Sequence, residues 1–131
     1  MFNAKLVAIV FGLTFVVVGL MGFVENPIAS EYGFFQANWA HNLVHLITGA
    51  IFLLGAVNYP GQEKRFVLYS GYFYGLVALL GFVWPGDMLL GFIHINEPDR
   101  WLHVVLALAI VAAGVLCSTP QPKVQLQTKF N

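Results

Sequence analysis

Four long stretches of the chain contain no Asp, Glu, Lys or Arg, and short segments with polar or turn-forming residues separate them. Each stretch is close to the roughly 20 residues that a helix needs to cross the hydrocarbon core of a bilayer. Two of them end in turn-forming sequences, Tyr59-Pro60-Gly61 and Trp84-Pro85-Gly86. The pattern therefore predicts four transmembrane helices, within the stretches Leu6 to Val24, Asn42 to Tyr59, Phe66 to Gly86 and Trp101 to Gln121.

The composition agrees with a membrane protein. Of the 131 residues, 59% are hydrophobic and 9% are charged, whereas a soluble domain has about a quarter charged residues. The first stretch is longer than the apolar region of a signal peptide and no A-x-A-like cleavage site follows it, so we expect it to be retained as a span. The prediction is one integral membrane domain, 1–131, with spans at about 6–24, 40–58, 66–84 and 101–118 and a polar cytoplasmic tail at 119–131.

The basic residues predict the orientation. Five of the six Lys and Arg residues lie before the first span, between the second and third spans, or in the tail, and only Arg100 lies on the other side. Short loops rich in Lys and Arg stay in the cytoplasm. Both termini are therefore predicted to be cytoplasmic, in the inner membrane of a bacterium, and the two longer connections are predicted to lie outside.

A sequence frame occurs twice. In GFFQANWAHNLVH (33–45) and GFIHINEPDRWLH (91–103), the glycine, the phenylalanine, one asparagine and the last histidine match at an offset of 58 residues. Each copy consists of a span, an outer loop and a span, so both copies have the same orientation in the membrane. The prediction is an all-α bundle of two similar helical hairpins, a parallel internal repeat that places His45 and His103 opposite each other.

Several polar and aromatic residues of this frame are predicted to have structural roles. Asn38 and Asn96 are candidate N-caps, and Asp99 lies in the first turn of its helix, where the helix dipole favours an acid. Trp101 belongs to an interfacial aromatic belt. Asn42 is a candidate partner for the neighbouring histidines.

The histidines are candidate ligands. His41 and His45 are four residues apart and share a helix face, so with His103 they form a candidate transition-metal site of the kind that suits zinc, copper, iron or nickel. Alternatively, His45 and His103 bind the iron of haem b from two sides. In either case the second ring nitrogen needs a partner, for which Asn42 and backbone carbonyls are candidates.

A purely structural role for the histidines stays open. His45 and His103 can hydrogen-bond to each other, to Thr48 or to Asn42 and so join the two hairpins. His41 is expected near the interface, in contact with solvent. The outer loops mix apolar and aromatic residues, so they are expected to lie in the interface or to fold back over the bundle.

Two motifs resemble a known family. His41-Asn42-Leu43-Val44-His45-Leu46 followed by Gly49, and Asn96-Glu97-Pro98-Asp99-Arg100-Trp101-Leu102-His103, are similar to those of the domain-of-unknown-function family 4383, small four-span bacterial membrane proteins. The resemblance covers nearly the whole chain and implies the same topology, but no reaction. The family often has Asn at the position of Arg100 and Gly at that of Ala107, and here Arg100 is expected to pair with Asp99 or Glu97.

No nucleophile–base or carboxylate pair is evident, so the chain is not expected to be an enzyme. The expected function is that of an accessory or structural subunit of a membrane complex, and the alternative is a haem-binding or metal-binding protein for electron transfer or metal handling. The bilayer, other membrane subunits or further copies of the chain are the expected partners. Nucleic acid is not an expected partner, because the sequence contains no run of basic residues. A transporter is disfavoured because the predicted spans hold no charged residue.

Overall fold

The computed structural model describes residues 2–119, which form four long helices and three pairs of two-residue strands. The helices have 18 to 21 residues, and each is long and apolar enough to cross a membrane. The predicted fold class, a four-helix bundle of the multi-pass membrane type, is confirmed. The helices are α1 (Ala4–Met21), α2 (Trp39–Asn58), α3 (Glu63–Val83) and α4 (Glu97–Leu116).

The observed helices begin earlier than the predicted spans. The largest difference is at α4, which begins at Glu97 rather than near residue 101. Charged residues of the preceding loop therefore belong to the helix, and Asp99 is buried in the bundle. The predicted spans contained no charged residue, whereas the observed α4 includes the buried Asp99. Of the predicted tail, 119–131, only Thr119 is among the described residues.

The helices pack closely in two pairs, α1 with α2 and α3 with α4, and the contacts between the pairs are sparser. Glycines make the close approach within each pair possible. A methyl group on Gly49 of α2 would lie 2.7 Å from the carbonyl oxygen of Gly12 in α1, and one on Gly71 of α3 would lie 3.0 Å from the backbone nitrogen of Val111 in α4. In a lipid environment such packing, rather than burial of apolar surface, holds helices together.

The two long connections, 22–38 and 84–96, fold over the same end of the bundle, which we call the loop end. In the first connection β2 (Ala29–Ser30) pairs in parallel with β3 (Phe35–Gln36). In the second, β4 (Met88–Leu89) forms an antiparallel pair with β5 (Ile93–His94). Ala37, Leu89 and Ile95 of these connections are buried. The connections therefore cover the helices, as the apolar character of the loops led us to expect.

At the opposite end, the chain termini of the described part meet. β1 (Phe2–Asn3) pairs in parallel with β6 (Cys117–Ser118). The ammonium group of Lys64 donates hydrogen bonds to the carbonyl oxygens of Val115 and Cys117, both at 3.0 Å. These carbonyls lie at the C-terminus of α4, where a helix favours a positive charge.

We expect the substitution Gly49→Ala to destabilise the bundle by about 1–3 kcal/mol, because backbone atoms of α1 leave no room for a methyl group. Thermal unfolding in a mild detergent measures the effect as a lower midpoint. Gly75→Ala is the matched control, since nothing lies within 4 Å of a methyl group there. Equal midpoints for the two variants would contradict the packing described for α1 and α2.

Candidate metal centre

Three histidines converge in the bundle near the loop end. His41 and His45 of α2 and His103 of α4 each offer one ring nitrogen, and these three nitrogens lie within 4.8 Å of one another. The three side chains are buried, with exposed fractions of 2%, 6% and 2%. The structure thus brings together the three histidines that the sequence singled out. It also shows that the expected solvent contact of His41 is wrong, because the second connection covers it.

Two asparagines position the helices that carry the histidines. The side-chain oxygen of Asn38 accepts a hydrogen bond from the amide of His41 and caps α2, and that of Asn96 accepts one from the amide of Asp99 and caps α4. An uncapped helix end leaves backbone donors unsatisfied, and an Asn cap stabilises a helix by about 1 kcal/mol. Both asparagines therefore have the local role that the sequence predicted.

Each asparagine also bonds to the connection of the other hairpin. The side-chain amide of Asn38 donates to the carbonyl of Phe92 at 2.8 Å, and that of Asn96 donates to the carbonyl of Phe34 at 2.9 Å. In return, the amide of His94 donates to the Asn38 oxygen and the amide of Gln36 donates to the Asn96 oxygen, both at 3.3 Å. Every one of these bonds has its counterpart 58 residues away. The internal repeat stays a prediction, but the bonds obey its offset and link the starts of α2 and α4.

Asp99, for which the sequence predicted only a structural role, lies beside His41. We call His41, His45, His103 and Asp99 the polar cluster. Asp99 lies four residues before His103 on α4, as His41 lies before His45 on α2, and it stands 58 residues after His41. Its side chain is 2% exposed, and one carboxylate oxygen lies 3.4 Å from Nδ1 of His41. The offset of 58 residues was the signal that could have placed Asp99 opposite His41.

Among the described residues, no Lys or Arg side chain bonds to the carboxyl group of Asp99. The expected pairing of Arg100 with Asp99 or Glu97 is wrong, because the guanidinium group binds Asp87 at 2.7 Å and the carbonyl of Gly86 at 2.6 Å. Nδ1 of His41 is within ion-pair distance of Asp99, but it bonds to the carbonyl oxygen of His94 instead. The Oδ2 atom of Asp99 therefore has no hydrogen-bond partner among the described residues. A buried charge without a partner is costly.

The Nδ1 atoms of two histidines are held by neighbours. That of His41 lies 2.7 Å from the carbonyl oxygen of His94. Because a carbonyl only accepts, Nδ1 donates, and the neutral ring keeps its lone pair on Nε2. That of His45 lies 3.3 Å from the hydroxyl of Tyr74 on α3, which can accept its proton in the same way. A backbone carbonyl was a predicted partner, whereas Tyr74 was not foreseen.

Asn42 does not have the predicted role. Its side chain packs against Gly22, where there is no room for a methyl group, and its oxygen has no hydrogen-bond partner among the described residues. No hydrogen bond joins His45 and His103 to each other, to Thr48 or to Asn42 in the part of the chain that the structure describes. The hairpins are instead joined by the hydrogen bonds of the capping residues Asn38 and Asn96 and by the contact between Tyr74 and His45.

Aromatic rings enclose the cluster. Phe15 of α1 stacks on His45 with ring centroids 5.6 Å apart, and Tyr74 meets His103 edge to face at 5.6 Å. The ring of His41 lies 4.6 Å from that of His45 and 5.5 Å from that of His103. A haem held between His45 and His103 would need the space that His41 occupies. The packing therefore suits a single ion rather than the flat ring of haem b.

The sequence matches the family model Domain of unknown function (DUF4383) over residues 5–116. The chain belongs to this family. The matched region contains all four helices except the first residue of α1, both asparagine caps and the whole polar cluster. Neither the comparison with curated proteins nor that with solved structures found a match.

We expect Asn38→Ala to destabilise the protein more than Asn3→Ala does. Asn3 only caps α1, so its loss costs about 1 kcal/mol, whereas Asn38 also bonds to the second connection. Asn38→Asp separates the two roles, since the carboxylate keeps the cap and loses the donor to Phe92. The midpoint of thermal unfolding should be lowest for Asn38→Ala, intermediate for Asn38→Asp and highest for the wild type. The same midpoint for Asn3→Ala and Asn38→Ala would argue against the cross-link between the connections.

Proposed function

We propose that this family member is a small multi-pass membrane protein that binds one transition-metal ion through His41, His45 and His103. The observation that carries the proposal is the convergence of three buried imidazoles whose ligand nitrogens lie within 4.8 Å of one another. Imidazole suits zinc, copper, iron and nickel. Three protein ligands also leave one position of a tetrahedral ion open.

The geometry requires a modest adjustment. With metal–nitrogen bonds of 2.0–2.1 Å, the ligand nitrogens of a tetrahedral site are about 3.3 Å apart. The histidine nitrogens must therefore approach one another by up to about 1.5 Å, which small rotations of the side chains on fixed helices supply. His41 and His45 already share one face of α2, and the asparagine caps hold α4 opposite to it.

The surroundings of the histidines support a cation. The carbonyl of His94 contacts Nδ1 of His41, and the hydroxyl of Tyr74 contacts Nδ1 of His45. Metal-binding histidines usually have such a partner at one ring nitrogen, which leaves the other, here Nε2, for the ion. In the part of the chain that the structure describes, no Lys or Arg pairs with Asp99, and a bound dication would compensate the charge of its carboxylate. Without an ion, the cluster contains a buried carboxyl group whose Oδ2 atom has no hydrogen-bond partner among the described residues, and an unpaired ionisable group is expensive in a membrane.

The proposed role is binding, for electron transfer or metal handling, rather than catalysis. The distribution of Lys and Arg supports a position in the bacterial inner membrane with both termini in the cytoplasm. In that orientation the loop end and the histidines lie toward the outer face. Lipid surrounds the helices, whose outward side chains are apolar on all four helices.

A second candidate function is that of an accessory or structural subunit, with the cluster joining the helices. The bond between His45 of α2 and Tyr74 of α3, at 3.3 Å, favours it because it links the two hairpins. Other membrane subunits or further copies of the chain would be its partners. On this proposal the histidines stabilise the bundle and bind no ion.

Metal analysis of the protein, purified in mild detergent from its native membrane, tests the first candidate. We expect about one transition-metal ion per chain, and at least a tenfold loss in His41→Gln, His45→Gln and His103→Gln. His94→Gln is the matched control, since His94 is not one of the three converging histidines and its backbone carbonyl, which bonds to His41, is kept in the variant. A wild-type protein that holds no metal, and takes up none from zinc, cobalt or copper solutions, would leave the structural subunit as the function.

Asp99→Asn distinguishes the two candidates in another way. If Asp99 compensates a bound ion, the variant should bind metal about 10–100-fold more weakly. In a chelator, the metal-free variant should be as stable as the wild type or more stable, because a neutral amide replaces a buried ionisable group that has no partner at Oδ2. Metal titration and thermal unfolding measure the two effects. A variant that is destabilised in chelator, with unchanged metal affinity, would contradict this role of Asp99.

A further inference from the structure

A cleft runs along the bundle between α1 and α4, the side on which these helices barely touch. It has a volume of about 290 Å³ and reaches from Val10 to Met21 of α1, a length of about 16 Å at 1.5 Å per residue. Leu102 and Leu106 of α4 form the facing wall, and Phe35 of the first connection covers the loop end. The cleft is almost entirely apolar and faces the region that lipid occupies.

One part of the cleft is polar. There it is lined by three of the four residues of the polar cluster, His41, His45 and Asp99. The Oδ2 atom of Asp99 is buried and has no hydrogen-bond partner among the described residues. The cleft therefore connects the hydrocarbon region with the polar cluster. At that end, Oδ2 of Asp99 has no hydrogen-bond donor among the described residues, and an ion bound to the histidines would have one free coordination position.

We propose that a membrane-dissolved quinol or long-chain phenol binds in this cleft with its hydroxyl at the metal centre. The inference rests on the proposed function, because the hydroxyl oxygen would occupy the open position of the ion. The same hydroxyl group, with its O–H bond intact, would donate a hydrogen bond to the Oδ2 atom of Asp99. The apolar chain would lie along Val18 and Thr14. The volume is near the lower end of that of small-molecule sites and fits a ring with a short part of its chain.

The polar part of the cleft distinguishes this ligand from an ordinary lipid tail. An acyl chain would fill the apolar part equally well but would leave Asp99 without a donor, and a buried acceptor without a partner is unfavourable. A second lateral groove, between α2 and α3, is lined by apolar residues with Thr48, Ser70 and the phenol of Tyr69, and no histidine or carboxylate lines it. That groove has the chemistry of a lipid contact and serves as the internal control.

The test uses a fluorescent alkyl-hydroxyquinoline N-oxide, a quinol analogue, with the full chain in detergent. We expect saturable binding of about one probe per chain. The methoxy derivative with the same alkyl chain should bind at least tenfold more weakly, because it has no hydroxyl proton. Equal affinity of the two probes would show that only an apolar chain is bound and would overturn the proposal.

Variants that fill either groove test the location. Thr14→Phe places a ring in the cleft and should weaken probe binding at least tenfold, and Val10→Phe, farther from the centre, should weaken it less. Ser70→Phe, in the second groove, should leave it unchanged. Both Thr14→Phe and Ser70→Phe should keep the wild-type metal content, which shows that they are folded. Unchanged probe affinity in Thr14→Phe would overturn the proposal.

Metal analysis of the same samples separates this inference from the proposed function. Removal of the ion by a chelator should weaken probe binding at least tenfold. A wild-type protein with bound metal and no saturable probe binding would overturn only the cleft ligand. A wild-type protein without metal would overturn the proposed function, and with it the coordinated hydroxyl.

Discussion

Reciprocal hydrogen bonds of Asn38 and Asn96 at the loop end determine how the rest of the molecule is arranged. Each asparagine caps its own helix and bonds to the connection of the other hairpin. In a membrane, backbone groups at helix ends must find partners within the protein. Here the same two side chains satisfy that requirement and fix the depth of α2 relative to α4. The histidines follow at equal distances from the two caps and therefore meet.

The polar cluster depends on that arrangement. His41 and His45 of α2 face Asp99 and His103 of α4, so each hairpin contributes a pair of residues four apart on one helix face. The connections close over the cluster, and the carbonyl of His94 bonds to His41. Aromatic rings of α1 and α3 cover its other sides. A group of ionisable side chains is thereby kept in an apolar protein, with a buried carboxyl oxygen that has no hydrogen-bond partner among the described residues, and this supports our proposal that an ion binds there.

Much of the fold follows from the sequence because charge-free stretches of about 20 residues have few alternatives to membrane helices. The asparagine caps were also predictable, since their preference is local. The burial of Asp99 was not predictable from the sequence. It depends on where α4 begins, four residues before the charge-free stretch, and on the connection that covers this residue. Tyr74 was missed for a different reason: α3 is apolar on nearly all sides, so its sequence does not show which face contacts the other helices.

The haem site was predicted from the depth of His45 and His103 in the membrane. His45 and His103 are opposite each other as the repeat predicts, but the depth of two residues says nothing about what lies beside them. His41 occupies that space, and its ring contacts both others. His41 is also the third ligand of the proposed ion.

An X-ray absorption spectrum at the metal edge, recorded on the protein purified from its native membrane, shows whether His41, His45 and His103 bind an ion. We expect one ion with three imidazole nitrogens at 2.0–2.1 Å, and loss of one imidazole contribution in His103→Gln. A shell of water or detergent oxygens without imidazole scattering, or a sample without metal, would contradict the proposal.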